Sequence, residues 1–173
     1  AAMLDKDYTQ RFGLIEETLP AVIKITNIEG NGIGSGFIVD DSTIITNVHV
    51  VMLGYDSKSG IINKLVIKLD DGTEIPPRDI RIPYGDGARD CAIIKVPNTY
   101  LKGIKPLRFA EKVYTAEDCY VIGAPLGYVD SVTKGIVSHH SRWEKAYAMD
   151  IRLIQTVVFR NGVDSGGLLR NGF

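Results

Sequence analysis

Gly36–His49, with the sequence GFIVDDSTIITNVH, is the stretch that decides the fold. Its two apolar, β-branched runs, Gly36–Val39 and Thr43–Thr46, flank the turn-forming residues Asp40–Ser42. Two short apolar runs on either side of a polar turn predict a hairpin of antiparallel strands. The second strand delivers His49 at its end, and we expect a short turn to carry the chain away from that point.

Strand-like runs continue along the chain on both sides of this hairpin. Strands are predicted at residues 21–26, 64–69, 91–96, 119–123, 132–138 and 151–156, with turns at 29–32 and 70–72. One amphipathic helix is predicted from Tyr8 to Leu19, because apolar residues recur there at helical spacing, and Pro20 ends it. Many short strands with almost no helix indicate an all-β fold, either a barrel or a sandwich.

The composition narrows the classes of partner. Of the 173 residues, 45% are hydrophobic, which is enough for the core of one domain. The 20 basic and 21 acidic residues nearly cancel and form no basic block, so we expect no nucleic-acid partner. No apolar run is long enough to span a bilayer, and the N-terminus lacks the apolar core of a signal peptide. Cys91 and Cys119 lie in apolar strands, where cysteine behaves as a small buried hydrophobe, and two cysteines make no disulfide framework.

The chain has three histidines, and two of them are adjacent. His139 and His140 follow a predicted strand, so we interpret them as loop residues that are solvated or locally hydrogen-bonded. We expect no metal there, because no carboxylate or thiol stands beside them at ligand spacing, and no cofactor is expected elsewhere. His49 is the remaining candidate for a general base, although a histidine at a strand end is more often a satisfied core residue.

A glycine-flanked serine lies near the end of the chain, within Arg160–Leu169. There Asp-Ser-Gly-Gly sets Ser165 in a tight turn, the shape of a nucleophilic serine loop. Such a serine needs a base and an orienting acid. Asp90 opens the apolar run 91–96, where a carboxylate is costly unless it is hydrogen-bonded, and an imidazole N–H is one way to satisfy it. Asp86, between two glycines in what we interpret as a mobile, solvated loop, is the weaker candidate.

The chain order His49, Asp90, Ser165 is that of chymotrypsin, and the sequence resembles the protease domain of the HtrA/Deg group of trypsin-like serine proteases. The segments that carry the resemblance are Gly34–Val39, Ile44–Val51, Arg89–Val96, Val121–Gly127, Val132–Ser138, Ile154–Thr156 and the serine loop, with a further likeness at Glu17–Val22.

The resemblance implies an all-β, two-barrel chymotrypsin-like fold with a short N-terminal helix. The N-terminal barrel is expected at about residues 20–97, a linker at about 98–117 and the C-terminal barrel at about 118–173. We expect the second barrel to be incomplete, because only eight residues follow Ser165.

The resemblance also implies a serine endopeptidase that cuts unfolded or flexible polypeptides, after small or medium apolar residues. Ser165 would attack the carbonyl, His49 would move the proton and Asp90 would orient the imidazole. The backbone at Val163, Asp164 and Ser165 would form the oxyanion hole. Three residues would contact the substrate: Phe159 in the side-chain pocket, and Gly166 and Gly167 along its backbone.

The resemblance further implies a homotrimer formed through the N-terminal segment, with Tyr8 and Phe12 at the interface, although these residues could equally cap a barrel. It implies a periplasmic, secreted or organellar location.

Three residues of the serine loop depart from the family pattern. Val163 replaces a glycine, Asp164 replaces an asparagine and Leu168 replaces a proline. A β-branched residue resists the backbone conformations that glycine tolerates. The alternative function is therefore a weak or inactive protease homologue that binds peptides or a partner protein. A structural all-β domain with a chance Asp-Ser-Gly-Gly is the third interpretation.

Overall fold

The structure is a computed structural model that describes residues 13, 15–112, 114–116, 118–123, 131–146, 149–158 and 168–171. The predicted all-β class is confirmed, since the described residues form thirteen strands and only short helices. Residues 13 and 15–18 of the predicted N-terminal helix are helical, and Pro20 lies inside a 3₁₀ turn, Leu19–Ala21. Tyr8 and Phe12 lie outside the described residues.

The first half of the chain forms a seven-stranded antiparallel sheet. This half has nine strands, seven in the sheet and two in a separate small hairpin. They are β1 Val22–Asn27, β2 Gly34–Ile38, β3 Thr43–Thr46, β4 Tyr55–Asp56, β5 Ile61–Ile62, β6 Leu65–Lys68, β7 Glu74–Ile75, β8 Arg81–Asp86 and β9 Cys91–Lys95. The sheet order is β7-β6-β1-β2-β3-β9-β8, and β4 pairs only with β5. The predicted hairpins at 36–46 and 70–72 are confirmed: β2 pairs with β3 and β6 with β7.

Side chains along these strands point alternately to the two faces of the sheet, and the apolar side chains on the covered face form one core. The strands β6 and β9 alternate buried and half-buried residues, as expected for a sheet with one face covered. The fully buried side chains are mostly isoleucines: Ile23, Ile25, Ile38, Ile44, Ile67, Ile75 and Ile94. Burying one such side chain stabilises the fold by about 1.5–3 kcal/mol, so this half of the chain has a substantial core of its own.

The second half of the chain forms a four-stranded antiparallel sheet in the order β12-β11-β10-β13. Its strands are β10 Asp118–Gly123, β11 Ser131–Ala146, β12 Met149–Val158 and β13 Leu168–Asn171. Strand β10 contacts β1 and β2, and Ile122 within it is buried. The second sheet therefore packs on the first along β10.

The interpretation of His139 and His140 as loop residues is wrong. Both lie within β11, which runs on past residue 138 as far as Ala146. The strand continues because β12 pairs with it from Gly135 to Ala146, with register shifts on either side of His139. The polar residues around His139 resemble a loop in sequence, but pairing with a neighbouring strand keeps them extended. Their own sequence does not show that this partner strand exists.

Between the two sheets the chain contains one helical turn, Asn98–Leu101. Leu101 is buried, and Tyr100 Oη donates a hydrogen bond to Asp79 Oδ2 at 2.5 Å. Further along, the N–H of Leu107 donates to the carbonyl of Ile38 at 2.9 Å. These contacts hold the segment from Asn98 to Leu107 against the first half of the chain.

Candidate active site

The pairing of β3 with β9 determines where the site forms. The register runs from Thr43 opposite Lys95 to Thr46 opposite Ala92. The end of β3 and the start of β9 therefore lie at the same edge of the sheet. His49 comes three residues after β3, and Asp90 comes one residue before β9. The strand register thus brings two residues that are 41 positions apart in sequence to the same edge of the sheet.

His49 lies in a one-turn helix, Val48–Val51, and not at the end of the strand as the sequence predicted. The N–H groups of Val50 and Val51 both donate to the carbonyl of Asn47 at 3.2 Å, which closes the turn. Val50 and Val51 are buried in the core, and this anchors the helix while His49 projects outward. The imidazole is consequently half exposed, with 53% of the side chain accessible.

His49 and Asp90 make two contacts with each other. Asp90 Oδ2 lies 2.5 Å from His49 Nδ1, and Asp90 Oδ1 accepts the backbone N–H of His49 at 3.0 Å. A carboxylate opposite Nδ1 requires the proton on that nitrogen, which leaves the Nε2 lone pair free to accept a proton. Only 24% of the Asp90 side chain is accessible, so the acid is more enclosed than the base.

Asp86 does not behave as a free residue of a solvated loop. It ends β8, and 18% of its side chain is accessible. Oδ1 accepts the N–H groups of Ala88 at 3.0 Å and Arg89 at 3.2 Å, and Oδ2 accepts from Arg89 Nη1 at 2.6 Å. The Arg89 side chain, chiefly through its hydrogen bond, holds the pKa of Asp86 below its ordinary value. The interpretation of Asp86 as a loop residue is therefore wrong: it builds the turn that leads to Asp90.

One residue of the site, Asn47, was not identified from the sequence. Its side-chain Nδ2 donates to the main-chain carbonyl of Asp90 at 2.6 Å. Asparagine usually caps the turn that follows it, but the 48–51 helix is too short to show a helical period in the sequence, so nothing there marked Asn47. Here the side chain makes no such cap.

The other predicted site residues lie outside the described residues. These are the nucleophile candidate and the residues of its loop and pocket: Phe159, Val163, Asp164, Ser165, Gly166 and Gly167. The strand that follows this loop, β13, begins at Leu168, which pairs with Ile122 of β10. Within the described part of the chain, no cluster of three His, Cys, Asp or Glu residues could hold a metal ion. No helix of that part has the length and apolar character needed to cross a membrane.

Comparisons with known proteins identify the family of the chain. A model of the trypsin-like peptidase domain family matches residues 34–172. A probable periplasmic serine endoprotease, DegP-like, from Pseudomonas putida is 35% identical over 146 residues, which are 83% of this chain and 28% of that protein. The chain therefore spans less than a third of the length of that relative.

Two solved structures extend the likeness to the fold. The crystal structure of Deg5 is 27% identical with a TM-score of 0.74, and the match covers 96% of this chain and 81% of Deg5. The HtrA-type protease AlgW, solved with a tripeptide, is 25% identical with a TM-score of 0.75, covering 95% of this chain and 50% of AlgW.

Proposed function

The chain belongs to the trypsin-like peptidase domain family, in its HtrA/Deg group of chymotrypsin-fold serine proteases, and we propose that it is the catalytic domain of a serine endopeptidase. The observation that carries the proposal is the His49–Asp90 pair, with Nδ1 and Oδ2 2.5 Å apart. The AlgW structure, which contains a tripeptide, supports polypeptide as the substrate class.

In the proposed mechanism, His49 is the general base and Asp90 its orienting acid. Asp90 holds the proton on Nδ1, so Nε2 takes the proton of Ser165 as its hydroxyl attacks the scissile carbonyl. The same nitrogen then passes that proton to the leaving amine, and water repeats the sequence on the acyl-enzyme. Asp90 stays ionised and stabilises the imidazolium that forms between the two transfers.

The serine loop supplies the remaining parts of the proposed site. The backbone at Val163, Asp164 and Ser165 forms the oxyanion hole, where loss of one donor typically costs about 2.7–4 kcal/mol of barrier. Phe159 lines the side-chain pocket and favours small or medium apolar residues on the acyl side of the cut. Gly166 and Gly167 let the substrate backbone approach closely.

Covalent labelling of the serine tests this function. A fluorophosphonate probe is expected to label the native protein at Ser165, and Ser165→Ala is expected to abolish the labelling. Ser59→Ala is the matched control, because the Ser59 hydroxyl donates to an Asp56 carboxylate at 3.0 Å but serves as no nucleophile in this mechanism. Labelling that survives in Ser165→Ala, or a native protein that takes no label, would contradict the proposal.

The second candidate function is a protease homologue that binds peptides or a partner protein without cleaving them. The residue that favours it is Val163, since a β-branched side chain resists the backbone conformations available to glycine. Casein digestion by the native protein and by Val163→Gly separates the two functions. Cleavage by the native protein supports the endopeptidase, cleavage only by the variant identifies a defective oxyanion hole, and cleavage by neither supports the binding function.

The domain boundaries, the location and the oligomeric state of the protein are proposed by similarity to its relatives. We propose that residues of about 20–97 and 118–173 are the two barrels, joined by a linker at about 98–117. The periplasmic relative supports action in the periplasm or outside the cell. A homotrimer through the N-terminal segment, with Tyr8 and Phe12 at its interface, stays a prediction.

A further inference from the structure

Asn47 occupies the position before the 48–51 helix but does not use its side chain there. An asparagine at this position usually accepts an N–H of the first helical turn and so caps the helix. Asn47 has the extended backbone of a capping residue, with φ −98° and ψ 155°, yet its side chain makes no capping hydrogen bond. Its Nδ2 donates instead to the Asp90 carbonyl, 43 residues away, at 2.6 Å. Asn47 thus makes no capping contact with the helix next to it and instead contacts a residue that is distant in sequence.

The residue that receives this hydrogen bond has an unusual backbone. Asp90 has φ +52°, one of two residues other than glycine with positive φ in the described part of the chain. The left-handed region is unfavourable for residues with a Cβ, although aspartate visits it more readily than most. Such a conformation persists only when the surroundings fix it. Its backbone direction determines where both carboxylate oxygens point.

The segment Asn47–His49 binds Asp90 through three hydrogen bonds. Two of them come from His49, from its backbone N–H to Oδ1 and from Nδ1 to Oδ2. The third, from Asn47, holds the main chain of Asp90 and takes no part in proton transfer. The strand ladder between β3 and β9 extends only to Thr46 opposite Ala92, so this bond acts beyond the ladder.

We propose that Asn47 is a positioning residue for the catalytic pair. It fixes the left-handed main chain of Asp90 so that both carboxylate oxygens meet His49 at once. The proposal rests on the serine endopeptidase function for its kinetic consequence, but the geometry of the His49–Asp90 pair can be measured without any activity.

Two substitutions separate positioning from folding. Asn47→Ala removes the donor. Asn47→Asp keeps the shape and suits the start of a helix, but it sets a carboxylate oxygen against the Asp90 carbonyl. Asn27→Ala is the matched control, because Asn27 Nδ2 also donates to a main-chain carbonyl, that of Leu53, at 3.2 Å and away from the site.

The measurements are fluorophosphonate inactivation, urea unfolding and the NMR signal of the His49 Nδ1 proton. Both Asn47 variants are expected to lower the maximal inactivation rate about tenfold, which is the factor that corresponds to the loss of one hydrogen bond. The probe's half-saturation concentration is expected to stay unchanged. The Nδ1 proton signal is expected to shift or broaden in both variants. Asn27→Ala is expected to leave the rate and the signal unchanged, whatever it does to unfolding.

Two outcomes would overturn the proposal. One is an unchanged Nδ1 proton signal in both folded Asn47 variants. The other is a loss of inactivation rate in Asn27→Ala equal to that in Asn47→Ala, which would show that general destabilisation is the cause. If the native protein takes no label, the endopeptidase function fails, and the Nδ1 proton signal alone then decides whether Asn47 positions Asp90.

Discussion

Replacing Asp90 by asparagine is expected to slow fluorophosphonate labelling of Ser165 by about 10⁴-fold, the loss typical of this change in Ser-His-Asp enzymes. That factor corresponds to about 5.4 kcal/mol of barrier. The substitution is nearly isosteric, so packing is retained and the effect should come from the proton on His49.

The size of the effect follows from the two contacts that Asp90 makes. Oδ1 accepts the backbone N–H of His49 at 3.0 Å, and Oδ2 lies 2.5 Å from Nδ1. An asparagine has one oxygen and one NH₂ for these two places. If the NH₂ faces Nδ1, the imidazole proton moves to Nε2, which can then accept no proton from the serine. If the NH₂ faces the backbone N–H, two donors oppose each other.

The assay is the rate of probe incorporation by native protein, Asp90→Asn and the control Asp71→Asn. Asp71 also accepts a backbone N–H, that of Thr73 at 2.9 Å, but it lies in the 70–72 turn away from His49. The control should label at the native rate. Labelling of folded Asp90→Asn within about tenfold of the native rate would refute the assignment of Asp90 as the orienting acid, because the wrong tautomer alone should cost far more.

Two further predictions concern the frame around the pair. Gly34→Ala should lower the free energy of unfolding in urea by about 1–3 kcal/mol, because the added Cβ would lie 2.5 Å from a Val50 methyl. Gly85→Ala, whose added Cβ meets nothing nearer than 3.8 Å, should cost less, and equal costs would contradict the packing argument. Asp86→Asn should destabilise the fold at neutral pH, and its difference from the native protein should shrink as the pH falls. The native carboxylate, whose pKa is lowered by Arg89, stabilises the fold fully above about pH 4 and loses that effect as it protonates. Unfolding measured from pH 7 to pH 2 checks this, and a constant difference would count against the Asp86–Arg89 contact.

The elements that the sequence predicted well are those whose signal is local. The hairpin at 36–46 is encoded by two β-branched runs and a polar turn, and its strands form within two residues of the predicted limits. The start of the strand at Cys91 was predicted in the same way. Because β3 and β9 were both recognised, the meeting of His49 with Asp90 could be anticipated as soon as the two strands were paired.

The features that were missed have three different physical causes. His139 and His140 are extended because β12 pairs with β11, and nothing in their own neighbourhood encodes that pairing. The 48–51 helix has four residues, too few for a helical period to show in the sequence. Asp86 was flanked by glycines and resembled a loop residue, yet the N–H groups it accepts lie only two and three residues ahead.

His49 is exposed because of how the residues next to it in the helix pack in the core. In one helical turn, Val50 and Val51 enter the core and His49 is left facing outward. This direction holds only while Val50 keeps its place against Gly34, where no Cβ fits. A packing contact on the far side of the helix therefore sets the direction of the imidazole, and Asn47 and Asp86 set the carboxylate that meets it. Substitutions of Gly34, Asn47 or Asp86 should therefore also alter the His49–Asp90 geometry, although none of these residues carries a reacting group.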